Sequence, residues 1–129
     1  MYKMKLSNER ILRDIPSLIE ISKKQLPIKV SYAIAKNIAK IESEINVYNK
    51  EREKLIEKYA VKDEQGKTIV DENNQIRIQE EHIEDWNRDI KELLAIENEV
   101  DIHKFSIDAL EGYSMTPAEL MIIDYMIEE

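Results

Sequence analysis

Ile34, Ile38, Ile41, Ile45, Tyr48, Arg52, Leu55 and Tyr59 follow one another at spacings of four and three in strict alternation, and only Arg52 is polar. That pattern belongs to a helix with a narrow seam to bury against something else. A helix from residue 28 to residue 60 would be about 50 Å long at about 1.5 Å per residue, too long for one short partner. The rest of the chain must therefore supply several pieces to cover it.

The flanking segments supply such pieces. Tyr2, Met4 and Leu6 alternate with Lys3 and Lys5, which predicts a short half-buried strand over residues 2–6. Ser7 can cap a helix over residues 8–24, whose apolar positions Ile11, Leu12, Ile15, Leu18 and Ile19 share a face; Pro16 within it predicts a kink. Leu26-Pro27 breaks the chain before the long helix. Two turn signals, residues 63–66 and 71–74, surround β-favouring runs and predict a small hairpin at about residues 67–78. Ile83, Trp86, Ile90 and Leu93 resume the helical spacing over residues 80–96. Val100 to Ile107 reads as a strand with a bulge, pairing with residues 2–6. Thr116-Pro117-Ala118-Glu119 is a capping box with proline at the first helical position, opening a helix over residues 117–128.

The expected fold is mainly α. It is a single elongated domain, residues 1–129, built as an antiparallel helical bundle or coiled-coil hairpin around a long central helix, with a small β-hairpin at the tip and a minor β element near the base. The apolar content of 43 % suffices for a core. There is no cysteine, so no disulfide or thiolate metal site can form. No apolar run approaches the roughly 20 residues of a membrane span, and MYKMKLSNER lacks the core of a signal peptide. A cytoplasmic protein without a membrane segment is the expectation.

Motifs that carry chemistry are scarce. Gly66 and Gly112 each stand far from another glycine, so no phosphate-cradling loop is expected. His82 shares a helix face with Asp85 alone, which does not make a metal site. Ser7, Ser17 and Ser22 read as caps and surface, with no elbow motif around them. No enzyme, cofactor or metal is expected.

Charge is more informative. Net charge is −8, yet residues 1–40 carry +6 and residues 41–129 carry −14. Such polarity suits attraction to an oppositely charged partner or to a second copy. Lys29, Lys36 and Lys40 form a basic stripe on one face of the long helix, read as lacking aromatic interleaving; with a strongly acidic remainder it makes direct nucleic-acid binding the third choice. The last helix is apolar around most of its circumference. Met121, Tyr125 and Met126, with Asp124, Glu128 and Glu129, are the candidate residues for binding a protein partner.

Residues 24–30 (KQLPIKV), residues 48–55 (YNKEREKL), residues 115–120 (MTPAEL) and the ending YMIEE resemble a family of small uncharacterised proteins of phages and prophages of low-GC Gram-positive bacteria, classed as a domain of unknown function. The resemblance implies a phage-infected bacterial cytoplasm and carries over no functional residue. The expected function is a non-enzymatic, phage-encoded protein–protein interaction module, in its specific form an inhibitor of a host defence or nucleic-acid-processing complex. The alternative is a homo-oligomeric structural or assembly protein of a virion or tail.

Overall fold

The computed structural model describes residues 2–73 and 75–128, and among these the chain is mainly helical, with four α-helices and two small two-stranded sheets. It divides into two compact units, one made of Met1–Ile45 with Glu97–Glu129 and the other of Asn46–Ile96. No described helix is long and apolar enough to cross a membrane.

In the first unit, strand β1 (Tyr2–Ser7) pairs antiparallel with strand β2 (Glu97–Ile102), and Lys3 stands opposite Asp101. Alternation along the two strands buries Leu6, Val100 and Ile102. Asn98 ties the pair together, its amide donating to the Leu6 carbonyl at 3.1 Å and to the Asn8 side chain at 2.8 Å. Ser7 ends β1 and starts helix α1 (Asn8–Ser22), its hydroxyl accepting the N–H of Arg10 at 3.1 Å. Pro16 lies inside α1, which continues past it. Ile11, Asp14, Leu18 and Ile21, spaced three and four apart, are its buried face.

Helix α2 (Ile28–Tyr59) is unbroken over 32 residues. Pro27 precedes it and accepts the N–H groups of Val30 and Ser31 at 3.0 and 2.9 Å, so proline sits where its own missing N–H costs nothing. In the first unit its buried arc is wider than the seam alone. Val30, Ala33 and Asn37 are buried along with Ile34, Ile41 and Ile45.

Residues 100–107 are not one bulged strand: β2 stops at Ile102, and Phe105–Ser106 form a separate strand, β3, with a different partner. That partner is strand β4 (Ile127–Glu128), which lies parallel to it with Phe105 opposite Ile127. Residues 117–128 are accordingly not one helix. Helix α4 (Pro117–Ile123) gives way to a 3₁₀ turn at Asp124–Met126 before β4. Ile123, Tyr125 and Met126 are all buried. Residues so close in sequence point in different directions on an α-helix, and the change of geometry lets all three turn inward.

In the second unit, the last turns of α2 pack with helix α3 (Ile83–Ala95), which follows a 3₁₀ turn at Glu80–His82. Its buried side chains are Tyr48, Tyr59, Ala60 and Leu93, while Arg52 is exposed. The Tyr59 hydroxyl donates to Asp89 at 2.7 Å and holds that carboxyl below its ordinary range.

Between the two helices the chain forms a three-way junction, rather than the single hairpin expected over 67–78. A neck joins Ala60 to Ile78, and two small loops are closed by bridges Lys62 to Thr68 and Val70 to Ile76. Each loop is organised by one aspartate. Asp63 accepts the N–H groups of Gln65 and Lys67, and Asp71 those of Asn73 and Gln75, all at 2.9 Å. Gly66, at φ +79°, supplies the left-handed residue that the first loop requires.

The same heptad thus meets two environments, and its members should respond differently to truncation. Ile41→Ala is expected to cost about 3 kcal/mol through the cavity it leaves, and Arg52→Ala less than about 0.5 kcal/mol. Urea unfolding of the two variants against the parent checks this.

Candidate docking surface

A groove of about 700 Å³ opens in the first unit beside the start of α2. One wall is α2 itself with the preceding proline: Pro27, Ile28, Lys29 and Tyr32. The facing wall is the segment that follows β2, from His103 to Ser106 with Asp108 and Ala109, and Glu128 of β4 closes it. The apolar side chains at its mouth are left in water. Ile28 is 81 % exposed and Tyr32 53 %, and neighbouring Ile107 is exposed too. Apolar exposure clustered in a concavity is what a docking site looks like before its partner arrives.

The facing wall is held by a fully buried amide. Asn37 accepts the N–H of His103 at 2.7 Å and donates to the His103 carbonyl at 2.9 Å, so the backbone after β2 is pinned from both sides. One turn further along α2, the Lys40 ammonium donates to the Asp101 carbonyl at 2.9 Å. With its backbone fixed, His103 meets Tyr32 in a T-shaped contact, ring centroids 5.5 Å apart and planes at 80°. Lys36 sits over the same Tyr32 ring at 5.3 Å from its centroid.

The structure therefore rearranges both groups of residues expected to bind partners. Of the basic stripe, Lys29 and Lys36 are exposed, whereas Lys40 is half-buried and bonded to β2. The stripe does have an aromatic within it: Tyr32, three residues after Lys29 and four before Lys36. That spacing is visible in the sequence and was the available signal. Asn37 carried no such signal, since a polar residue in a helix ordinarily faces water.

Of the C-terminal set, Tyr125 and Met126 are buried in the core. Burial pushes the Tyr125 hydroxyl up to about 12, with the nearby Asp14 charge adding to the effect, and the Arg10 guanidinium covers the ring at 5.3 Å. Met121 is 75 % exposed but does not line the groove. Asp124 is exposed, Glu128 lines the groove, and Glu129 lies outside the described residues.

Helix α4 is fastened by Glu119. Its carboxylate accepts the Thr116 N–H at 2.9 Å, completing the capping box, and meets the Lys24 ammonium at 2.8 Å. These partners, Lys24 first, hold its pKa below the ordinary 4.5. Beside this clasp, Pro16, Ile21, Ala118 and Ile122 line a second cleft of about 380 Å³. Among the described residues no three His, Cys, Asp or Glu side chains gather as a metal ion would need.

Comparison with protein families matches residues 10–129 to a family described as "Protein of unknown function (DUF1617)". The chain belongs to the DUF1617 family. Neither the curated proteins nor the solved structures offered a match to it. The groove and its Asn37 clamp both lie within the stretch that defines DUF1617 membership.

Two outcomes follow from this geometry. Asn37→Ala is expected to lower the unfolding free energy by about 3 kcal/mol, because it strands a backbone donor and acceptor together; denaturant titration measures it. For Glu119, a folded pKa below the unfolded one means a contribution that is present above the unfolded pKa and is lost as pH falls through the folded value. The stability difference between the parent and Glu119→Gln should be seen at pH 7 and should close as pH drops through and below 4.5, followed by urea midpoints across that range.

Proposed function

We propose that the chain is a non-enzymatic protein–protein interaction module that receives its partner on the groove beside the start of α2. The observation that carries this reading is the pair Ile28 and Tyr32, large apolar side chains left in water at 81 % and 53 % exposure over a wall fixed by Asn37. Exposed aromatic and aliphatic anchors over a rigid floor lose little freedom on docking, so more of the contact energy is kept as affinity. The motif-poor sequence supports a role in binding rather than in bond chemistry. The likeness of residues 24–30, 48–55 and 115–120 to phage and prophage proteins supports a phage-encoded protein at work in a host bacterial cytoplasm. In that setting its target is a host defence or nucleic-acid-processing complex, which it inhibits by occupying a surface.

A second reading rests on a different part of the molecule. In the second unit Val47, Ile83 and Ile96 are 59 %, 43 % and 51 % exposed, and the Trp86 and Ile90 side chains are only half-buried. A second copy covering these side chains would make a homo-oligomer of the kind used in virion or tail assembly, with the seam of a coiled-coil hairpin closed between chains.

Affinity capture from host lysate, run in parallel with Tyr32→Asp and Ile28→Asp, tests the first reading. A host protein retained by the parent should be weakened by about 2 kcal/mol, roughly thirtyfold, in either variant with the thermal midpoint unchanged. Equal retention by parent and variants overturns it. Light scattering that finds a large symmetric oligomer, dispersed by Val47→Asp and untouched by Tyr32→Asp, favours the second.

A further inference from the structure

We propose that the groove accepts an acidic peptide segment of a partner protein, with one aliphatic or aromatic side chain seated between Ile28 and Tyr32 and its carboxylates against Lys29, Lys36 and Lys104. The proposal rests on the reading of the groove as a docking face and adds the chemistry of what docks.

Charge is the first argument. In a chain of net −8, three lysines meet at this face: Lys29 lines the groove, Lys104 lines its opposite wall, and Lys36, two turns and about 10 Å along α2 from Lys29, stands beside the lining over the Tyr32 ring. The start of a 32-residue helix adds its own positive partial charge at the same end. A ligand that brings negative charge to these three lysines, three positive charges against the two carboxylates of the same groove, is attracted to them in a molecule that is otherwise acidic.

Rigidity is the second. Asn37 fixes His103, His103 packs against Tyr32 in a T-shaped contact, and Lys36 sits over the Tyr32 ring. Tyr32 and the Lys36 charge over it are held in place before anything binds, as short-segment recognition requires.

The third argument separates a peptide from a nucleic acid. Asp108 and Glu128 line the same groove. A nucleic-acid strand carries a phosphate on every nucleotide and could not avoid placing negative charge beside these carboxylates. A peptide can set its acids against the lysines and neutral or basic residues against Asp108 and Glu128, because its charge is chosen residue by residue.

Selection of a displayed library of random twelve-residue peptides on the intact protein tests the proposal. The recovered peptides are expected to be enriched in Asp and Glu around a single aliphatic or aromatic residue. By fluorescence anisotropy they should bind K29E/K36E and Tyr32→Ala at least about tenfold more weakly while both variants keep the parent's thermal midpoint, and raising the salt to about 0.5 M should weaken them similarly. Recovery of no peptide, or of groove-dependent peptides without acidic bias, overturns the proposal; the latter leaves the docking reading standing. Peptides that bind all variants equally overturn both. A labelled oligothymidylate bound at about 0.1 M salt overturns it in favour of nucleic acid, and a dimer in sedimentation that K29E/K36E abolishes overturns it in favour of a second copy.

Discussion

Asn37 occupies the buried arc of α2, where no water reaches its amide, and an unpaired amide there would be expensive. The protein answers by bringing the backbone of His103 to it, so that one side chain satisfies both the N–H and the carbonyl of a residue 66 positions away. Much of the first unit follows from that contact. The pairing of β2 with β1 runs to Ile102, opposite Tyr2, and the backbone of the next residue, His103, is taken up by the Asn37 side chain. The chain re-emerges at Phe105 in a new direction and takes β4 as its mate. The groove lies along this diversion, with His103 and Lys104 on one wall and α2 on the other.

The C-terminal segment shows the same economy of burial. A helix through residues 117–128 would have turned some of its apolar residues to solvent, since one face cannot hold them all. Ending α4 at Ile123 and tightening the next three residues into a 3₁₀ turn buries Ile123, Tyr125 and Met126 together. The short parallel pairing of β3 and β4 then satisfies backbone groups that the lost helical turn would have satisfied itself. At the other end of α4, Glu119 serves the capping box and Lys24 at once.

The periodic parts of the fold were legible in the sequence because they rest on local rules. The four-three spacing from Ile34 to Tyr59 marks α2, the capping box marks the start of α4, and Ser7 marks the start of α1. What escaped depends on contacts between residues distant in the chain. Nothing near Asn37 announces that it will meet His103, and nothing in the apolar ending foretells a change of helix type. The candidate site was half-legible. Lys29 and Lys36 stand out by charge and Tyr32 stands between them, whereas the burial of Tyr125 and Met126 depends on a change of helix type that no local residue signals.

The junction between α2 and α3 is sealed below its two loops, by the Ala60 to Ile78 bridge and by backbone bonds from Val61 to Arg77 and from Gln79 to Tyr59. Each loop is also closed internally by its own aspartate. The bonds of the neck thus involve none of the residues inside either loop. An epitope tag or a fluorophore inserted within one loop is therefore expected to leave the neck and the two helices in place.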